Sequence, residues 1–301
     1  MISRRAFFGT LAAPLLAQQQ ERIIDVHQHL GFGGRSDDDL ITHQREMGVT
    51  QTMLLPWISN SQFPDGRSKY ALPAQPGGND SAVALSREYP KQYMFFCNEV
   101  SDVPDARVVL EKYLKLGARG IGEQKFHVEV DSKYMDLVAS VAEEYQVPVT
   151  MHFQHEAFNL GIENMHKLLE RHPHTNFIGH AQTFWGNIDK NFRQDDSYPS
   201  GKVSAGGISD RLLSDYPNMY ADMSAKSGLN GMLRDEDHAR EFLKRHQDKL
   251  MFGSDCPCRN ARGPDCLGAQ ILAAVRRLAP TQTVTRKILC DNAVKLMKIP
   301  A

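Results

Sequence analysis

Several things are scarce in this sequence, and each scarcity removes a class of protein. No long run of lysine or arginine occurs, and 35 basic against 36 acidic residues leave a formal net charge of -1. Nucleic-acid binders leave a basic footprint, so no nucleic-acid partner is expected. Past the first residues, no apolar run approaches the ~20 residues that a bilayer-spanning helix needs. No membrane association is therefore expected of the mature chain. Cysteine is sparse as well: Cys97, Cys256, Cys258, Cys266 and Cys290 leave at least one thiol unpaired. Their spacing is neither that of a disulfide scaffold nor that of a zinc ribbon. A bridge among Cys256, Cys258 and Cys266 stays open in an oxidising compartment. Neither an internal repeat nor a low-complexity tract interrupts the chain.

What is present is an ordinary globular composition, 41% hydrophobic and 24% charged over 301 residues, enough to bury a sizeable core. The N-terminus reads as a targeting signal. Ser3-Arg4-Arg5-Ala6-Phe7-Phe8 resembles the bacterial twin-arginine export motif, and residues 6–17 form a short apolar stretch. That stretch suits a signal h-region and is too short to cross a bilayer. Residues 1–20 are thus expected to be a signal peptide engaging the twin-arginine export machinery, with 21–301 as the mature periplasmic protein. This route carries proteins already folded.

From there, short apolar runs alternate with amphipathic helical stretches. Strands are expected over 23–29, 49–55, 92–97, 118–126, 147–153, 176–180, 218–223 and 250–255, which makes eight. Helices are expected over 106–116, 134–145, 162–171 and 236–246. In the first of these, Val109, Leu110, Tyr113, Leu114 and Leu116 recur at helical spacing. Gly48, Gly117, Pro173 and Pro217 punctuate helix-to-strand joints. Eight β–α repeats suit a closed, single-domain TIM-type (β/α)8 barrel of the α/β class. Long loops at 57–78 and 181–202 would lie on its C-terminal face, where pockets are built.

The chemistry falls at strand ends. Asp25-Val26-His27-Gln28-His29 closes the first strand, and alternation puts His27 and His29 on one side. His152, His180 and Asp255 each end another apolar strand. Buried polar groups need partners, and four histidines with one aspartate at one barrel mouth are unlikely to be satisfied independently. Imidazole and carboxylate ligands suit zinc, and also manganese or iron. The fourth strand adds Glu123 as a ligand able to bridge to a second ion. It also adds Lys125, which would bind a metal only if carboxylated and would otherwise contact an anionic substrate. One or two ions are compatible with this set.

These pieces together resemble the amidohydrolase superfamily, specifically its amidohydrolase-related branch of hydrolases, lactonases and decarboxylases. The matching segments are Asp25-Val26-His27-Gln28-His29, His152, His180, Tyr216 through Asp222, Phe252-Gly253-Ser254-Asp255-Cys256-Pro257, and Asn292-Ala293-Val294-Lys295-Leu296. They run in the right order from about residue 23 to 296. The resemblance implies His27, His29, His152 and Asp255 as ligands of a first metal. It implies His180 as either a second-metal ligand or a catalytic acid/base. It also implies Asp255 as the group that takes a proton from activated water. Gly122-Glu123 resembles metal-dependent deoxyribonucleases of the wider superfamily, against which the neutral charge argues.

Trp57, Gln154, His155, Gln182, Phe184, Trp185 and Arg259 follow strand ends and are expected to line a pocket, with Arg259 and Lys125 facing a carboxylate. His43, His127, His166, His172, His174, His238 and His246 are expected at the surface. The first expectation for function is a metal-dependent hydrolase opening a carboxylic ester, lactone or amide of small-molecule size. The alternatives are a non-oxidative decarboxylase on the same site and a non-catalytic binding barrel. A homo-oligomer is left open.

Overall fold

The computed structural model of the protein describes residues 21–57, 78–261 and 264–300. The expected signal peptide at 1–20 and nearly all of the expected loop at 57–78 lie outside the described residues. Within them all eight strands form: β1 Ile24–Gln28, β2 Gln51–Leu54, β3 Tyr93–Phe95, β4 Ile121–Gln124, β5 Val149–His152, β6 Phe177–His180, β7 Met219–Asp222 and β8 Leu250–Met251. The helices are α1 Asp37–Met47, α2 Asn79–Glu88, α3 Ala106–Lys115, α4 Lys133–Tyr145, α5 Met165–Arg171, α6 Gln182–Gly186, α7 Ile208–Asp215, α8 Ala225–Leu233, α9 Glu236–Arg245, α10 Leu267–Leu278, α11 Gln282–Arg286 and α12 Asn292–Leu296. Short α6 occupies part of what reads in sequence as one long loop, because Phe184 and Trp185 find burial there.

Parallel ladders join β1–β2–β3 and β4 through β8. Backbone bonds outside the ladders close the ring. Cys97 N donates to Gly120 O at 2.9 Å and Gly122 N to Cys97 O at 2.8 Å, linking β3 to β4. Val26 N to Phe252 O (3.1 Å) and Asp255 N to His27 O (2.9 Å) link β8 back to β1. The result is an eight-stranded parallel barrel, as the β–α alternation implies.

Period-two alternation sorts the apolar residues into two cores. Leu54, Phe95, Cys97, Phe177, Ala221, Leu250 and Phe252 face outward onto the helices. Ile24, Val26, Met53, Leu55, Phe96, Ile178 and Met251 fill the interior with Ala293, Leu296 and Met297. Those C-terminal residues sit at the bottom of the barrel, where Arg22 Nη2 also holds Pro300 O at 2.6 Å. The opposite mouth is left to polar side chains.

Two departures from regular alternation bear on that mouth. The β1–β2 register shifts between Asp25 and Gln28, and the β4–β5 register shifts between Ile121 and Gln124. Such irregularities re-aim side chains. Val26 and His27 thus both face inward, and Glu123 does so although Ile121 faces out. β8 stops at Met251, four residues short of the expected end, and Asp255 lies beyond the ladder at φ 42°.

Two histidines read as surface residues are buried, His43 and His246. His246 Nε2 donates to Asp210 Oδ1 at 2.7 Å, and the same carboxylate accepts from Arg245 Nη2 at 2.9 Å and Gly206 N at 2.9 Å. This cluster clamps α7 to α9. A partnered imidazole can be buried, which helical position alone does not reveal. His238 and His172 are half-buried, whereas His127 and His174 are exposed as expected.

Burial alone would raise the Asp210 carboxyl above its ordinary 3.8, but His246, the Gly206 amide and Arg245 overcome this and hold it well below. A depressed carboxyl stabilises the fold fully above the unfolded value and loses that contribution as pH falls through the folded one. Asp210→Asn is therefore expected to destabilise the protein at pH 7 by about 1–3 kcal/mol. It should also flatten the acid limb of a stability profile below about pH 4. Urea midpoints measured from pH 7 to 3 check this; parallel curves for the two proteins would refute it.

Candidate metal centre

Each residue at the barrel mouth is placed by a strand end. β1 carries His27 and leads to His29, β4 carries Glu123, β5 His152, β6 His180 and β7 Asp222, while Asp255 hangs from the turn after β8. All but Asp255 are essentially inaccessible, and Asp255 is 15% exposed. His27 Nε2 and His29 Nε2 face each other at 3.1 Å. Glu123 Oε2 lies 3.4 Å from His29 Nε2 and 3.8 Å from His27 Nε2. Asp255 Oδ1 is 3.6 Å from His29 Nε2, and Asp255 Oδ2 is 3.7 Å from His180 Nε2. His180 Nε2 is also 3.6 Å from Glu123 Oε1.

Three of these buried atoms, Glu123 Oε2, His180 Nε2 and Asp255 Oδ1, have no hydrogen-bond partner among the described residues. A buried carboxylate oxygen without a partner is costly. Two orphaned carboxylate oxygens and one orphaned imidazole nitrogen, gathered beside His27 and His29 Nε2, fit the donor set of a divalent cation. Three overlapping groups of ligand-capable side chains result: His27 with His29 and Glu123, His27 with His180 and Asp255, and Glu123 with His152 and His180. The residues fit a divalent metal, and Glu123 belongs to two of the three groups.

A second set of contacts fixes the imidazoles. His27 Nδ1 donates to Asp222 Oδ2 at 2.5 Å, and His29 Nδ1 to Leu55 O at 2.7 Å. Ser224 Oγ is 3.1 Å from His180 Nδ1 and donates to Asp222 Oδ2 at 2.9 Å. All three rings therefore present Nε2 to the centre, the usual way a partner on one ring nitrogen sets the other for a metal. Gly253 permits this packing: a Cβ there would meet Asp222 Oδ1 at 2.4 Å.

The electrostatics divide the histidines. Burial pulls His27 down, but Asp222, Asp255 and Glu123 outweigh it and push the ring up to about 10. Burial dominates at His152, which with Lys125 and His180 adding to it falls to about 4 against the pull of Glu123. Glu123 itself, despite burial, is held well below 4.5 by Lys125 and His152. Neutral His152 hydrogen-bonds Glu123 Oε1 through Nδ1, and its Nε2 lies 3.2 Å from Gln154 Oε1.

The other expected residues divide. Trp57 Nε1 donates to His29 Nε2 at 3.2 Å, and Lys125 Nζ lies 5.9 Å from the Trp57 ring and 5.7 Å from that of Phe158. Gln154 and His155 line a cavity of about 310 Å³ to which none of the centre's own residues contributes, and both join Gln182 around another of about 240 Å³. Trp185 is a correction: it is 2% exposed and packs with Phe184 and Phe242, and its indole donates to Asp222 O at 2.9 Å. A core contact that props up Asp222 is available to it, so it does not line a pocket, and neither does buried Phe184. Arg259 is the other correction. Its side chain is 65% exposed and turns outward to Gly34 O and Asp39. Asp222 was missed as a site residue, although it ends an apolar strand just as His152 and His180 do; that signal was in the sequence.

Among known proteins, residues 24–299 match the family described as Amidohydrolase. No curated protein matches the chain. Among solved structures, an uncharacterized TIM-barrel protein of Bordetella bronchiseptica superposes with a TM-score of 0.64 at 16% identity, covering 92% of this chain and 98% of that one. A probable 2-pyrone-4,6-dicarboxylic acid hydrolase of Acinetobacter baumannii gives 0.61 at 14%, covering 92% and 100%. The 5-carboxyvanillate decarboxylase of Sphingomonas paucimobilis gives 0.60 at 14%, covering 93% and 100%. At such identities these structures speak to the fold.

An ion entering at His27 must displace the proton that its raised value of about 10 retains at neutral pH. Metal affinity is accordingly expected to rise with pH, with protons released on binding. Asp222→Asn should weaken binding about 10- to 100-fold and release fewer protons, since the carboxylate that holds the His27 proton is gone. Titration calorimetry of zinc into chelated protein, in buffers of different ionisation enthalpy, measures both.

Proposed function

The chain belongs to the amidohydrolase family, a family of enzymes, and on that premise we propose that it is a metal-dependent hydrolase of a small carboxylic ester, lactone or amide. The observation that carries this reading is Asp255. Its carboxylate is at the mouth, Oδ1 is buried without a partner, and no lysine or arginine pairs with it among the described residues. A carboxylate left free beside a cation site is a base awaiting a proton.

We assign His27, His29, Glu123, His152, His180 and Asp255 to hold one or two divalent ions, zinc first by ligand type, with manganese or iron also accommodated. When bound, the ion supplies positive charge that polarises a carbonyl and makes a water easier to deprotonate. The chain's own groups do the rest. Asp255 accepts the proton of the attacking water. Where one ion is bound, His180, anchored at Nδ1 by Ser224, holds Nε2 toward Asp255 and relays a proton to the leaving oxygen or nitrogen; where two are bound, that nitrogen is a ligand instead. Lys125 and Gln154 stand beside the centre and orient a substrate carboxylate or carbonyl. Export of this enzyme to the periplasm is proposed on the paired Arg4 and Arg5 before the apolar run.

A second reading, non-oxidative decarboxylation, draws on the same His180 geometry: an imidazole fixed at one nitrogen and open at the other can protonate carbon as carbon dioxide leaves. The probable hydrolase and the decarboxylase among the similar structures represent these two chemistries.

Metal analysis by inductively coupled plasma mass spectrometry comes first. One or two equivalents lost on chelation are expected at this centre, and a folded protein that neither holds nor takes up metal would overturn the reading. Lactones and carboxylated aromatics are then screened with product analysis. Ring-opened acid without carbon dioxide supports the hydrolase; stoichiometric carbon dioxide selects the lyase. Asp255→Asn should lower kcat by about 10²- to 10⁴-fold.

A further inference from the structure

Immediately after Asp255 the chain enters a second cluster of metal-ligating side chains that the proposed reaction does not use. His43 on α1, Cys256 in the turn after β8, and Cys266 at the start of α10 are all buried and bring their ligand atoms together. His43 Nε2 is 3.3 Å from Cys266 Sγ, and Cys256 Sγ is 3.9 Å from Cys266 Sγ. Cys258, two residues further along the same turn, is half-buried, and its thiol donates to Asp265 O at 3.8 Å.

Three observations point the same way. The first is geometric. With zinc–sulfur bonds of about 2.3 Å and zinc–nitrogen bonds of about 2.0 Å in a tetrahedron, S···S edges come to about 3.8 Å and N···S edges to about 3.5 Å. The observed spacings are close to these and far from the ~2.05 Å of a disulfide. Secondly, Cys266 is the N-cap of α10, so its sulfur stands at the start of a twelve-residue helix. Amides at a helix start favour negative charge, which suits a thiolate at that position. Thirdly, the surroundings are unsatisfied without an ion. His43 is wholly buried, and among the described residues its Nδ1 has no partner while its Nε2 meets the Cys266 thiol. Arg35, 2% exposed, places its guanidinium on Cys256 O (2.8 Å) and Cys258 O (2.9 Å), and it makes no ion pair among the described residues. Three thiolates, one imidazole and a divalent cation sum to a single negative charge, which that buried guanidinium balances.

We propose that His43, Cys256 and Cys266 form a second, structural metal site selective for zinc, with Cys258 turning in from the same loop as the fourth ligand. Four protein ligands fill its coordination, so it holds no open position for substrate. Its role is mechanical. An ion there ties α1, α10 and the 256–258 turn together one residue from Asp255, whose backbone is left-handed at φ 42°. It thereby fixes the carboxylate that the neighbouring centre uses.

Cobalt(II) separates the two centres, because only the second contains sulfur. The full chain as purified is first weighed intact, then stripped and reloaded with cobalt under reducing conditions. The near-ultraviolet thiolate-to-cobalt charge-transfer absorption is expected in the wild type. It should persist in a His27→Ala/His152→Ala variant, with about one metal equivalent retained, and vanish in Cys266→Ser. If Cys266→Ser does not fold, alkylation of the wild type decides: Cys256, Cys258 and Cys266 should become reactive on chelation, with Cys97 and Cys290 unchanged. Absence of the absorption, its survival in Cys266→Ser, alkylation indifferent to chelator, or a native mass two hydrogens low from a Cys256–Cys266 disulfide would each overturn the site.

Discussion

The organising constraint in this molecule is the burial of negative charge at one end of a barrel. Glu123, Asp222 and Asp255 converge among His27, His29, His152 and His180 in a space that water hardly reaches. Isolated ions in such a setting cost several kcal/mol each, and attraction offsets that cost only where geometry and further hydrogen bonds are good. Asp222 meets the condition with His27, the Ser224 hydroxyl and the Ser224 amide. Glu123 and Asp255 do not, and their orphaned oxygens mark where a cation belongs. A barrel filled with Met53, Phe96 and Ile178 below leaves these groups no other direction in which to seek partners.

Holding the arrangement falls to a polar network behind the mouth. Asp25 accepts from the Ser254 amide at 2.8 Å and from Gln44 on α1 at 3.0 Å, and burial raises its carboxyl above the ordinary range. Gln28 donates to Ser254 Oγ at 2.6 Å and accepts from Arg35, which also grips the carbonyls of Cys256 and Cys258. The segment that carries Asp255 is thus tied to β1 on one side and to the thiol cluster on the other. Packing of this kind moves as a unit, so the thiol cluster and the metal centre are mechanically continuous though chemically distinct.

Some of the surprises share one cause. Trp185 and Phe184 read as pocket residues because they follow a strand end. They are core because α6 turns them onto Phe153 and Phe242. Arg259 follows another strand end and instead reaches the α1 side, where Asp39 and Gly34 O are available. Position after a strand predicts proximity to the mouth; it does not predict direction. His43 and His246 show the same limit, since a helix position gives a face, and burial depends on what the face meets.

The sequence by itself determined the eight strands, their order, the parallel barrel and the polar identity of the strand ends. These follow from local periodicity and from the preference of apolar β-branched runs for buried strands. That His27, His29, His152, His180 and Asp255 would gather at one mouth was legible because a polar residue ending an apolar run is costly without a partner. Only the tertiary structure decided the rest. Register shifts in β1 and β4 turned His27 and Glu123 inward against strict alternation, and Asp222 became the partner of His27 across 195 positions of sequence. His43 met Cys266 across 223. Contacts of that separation depend on how the ring closes, and no local pattern encodes the closing.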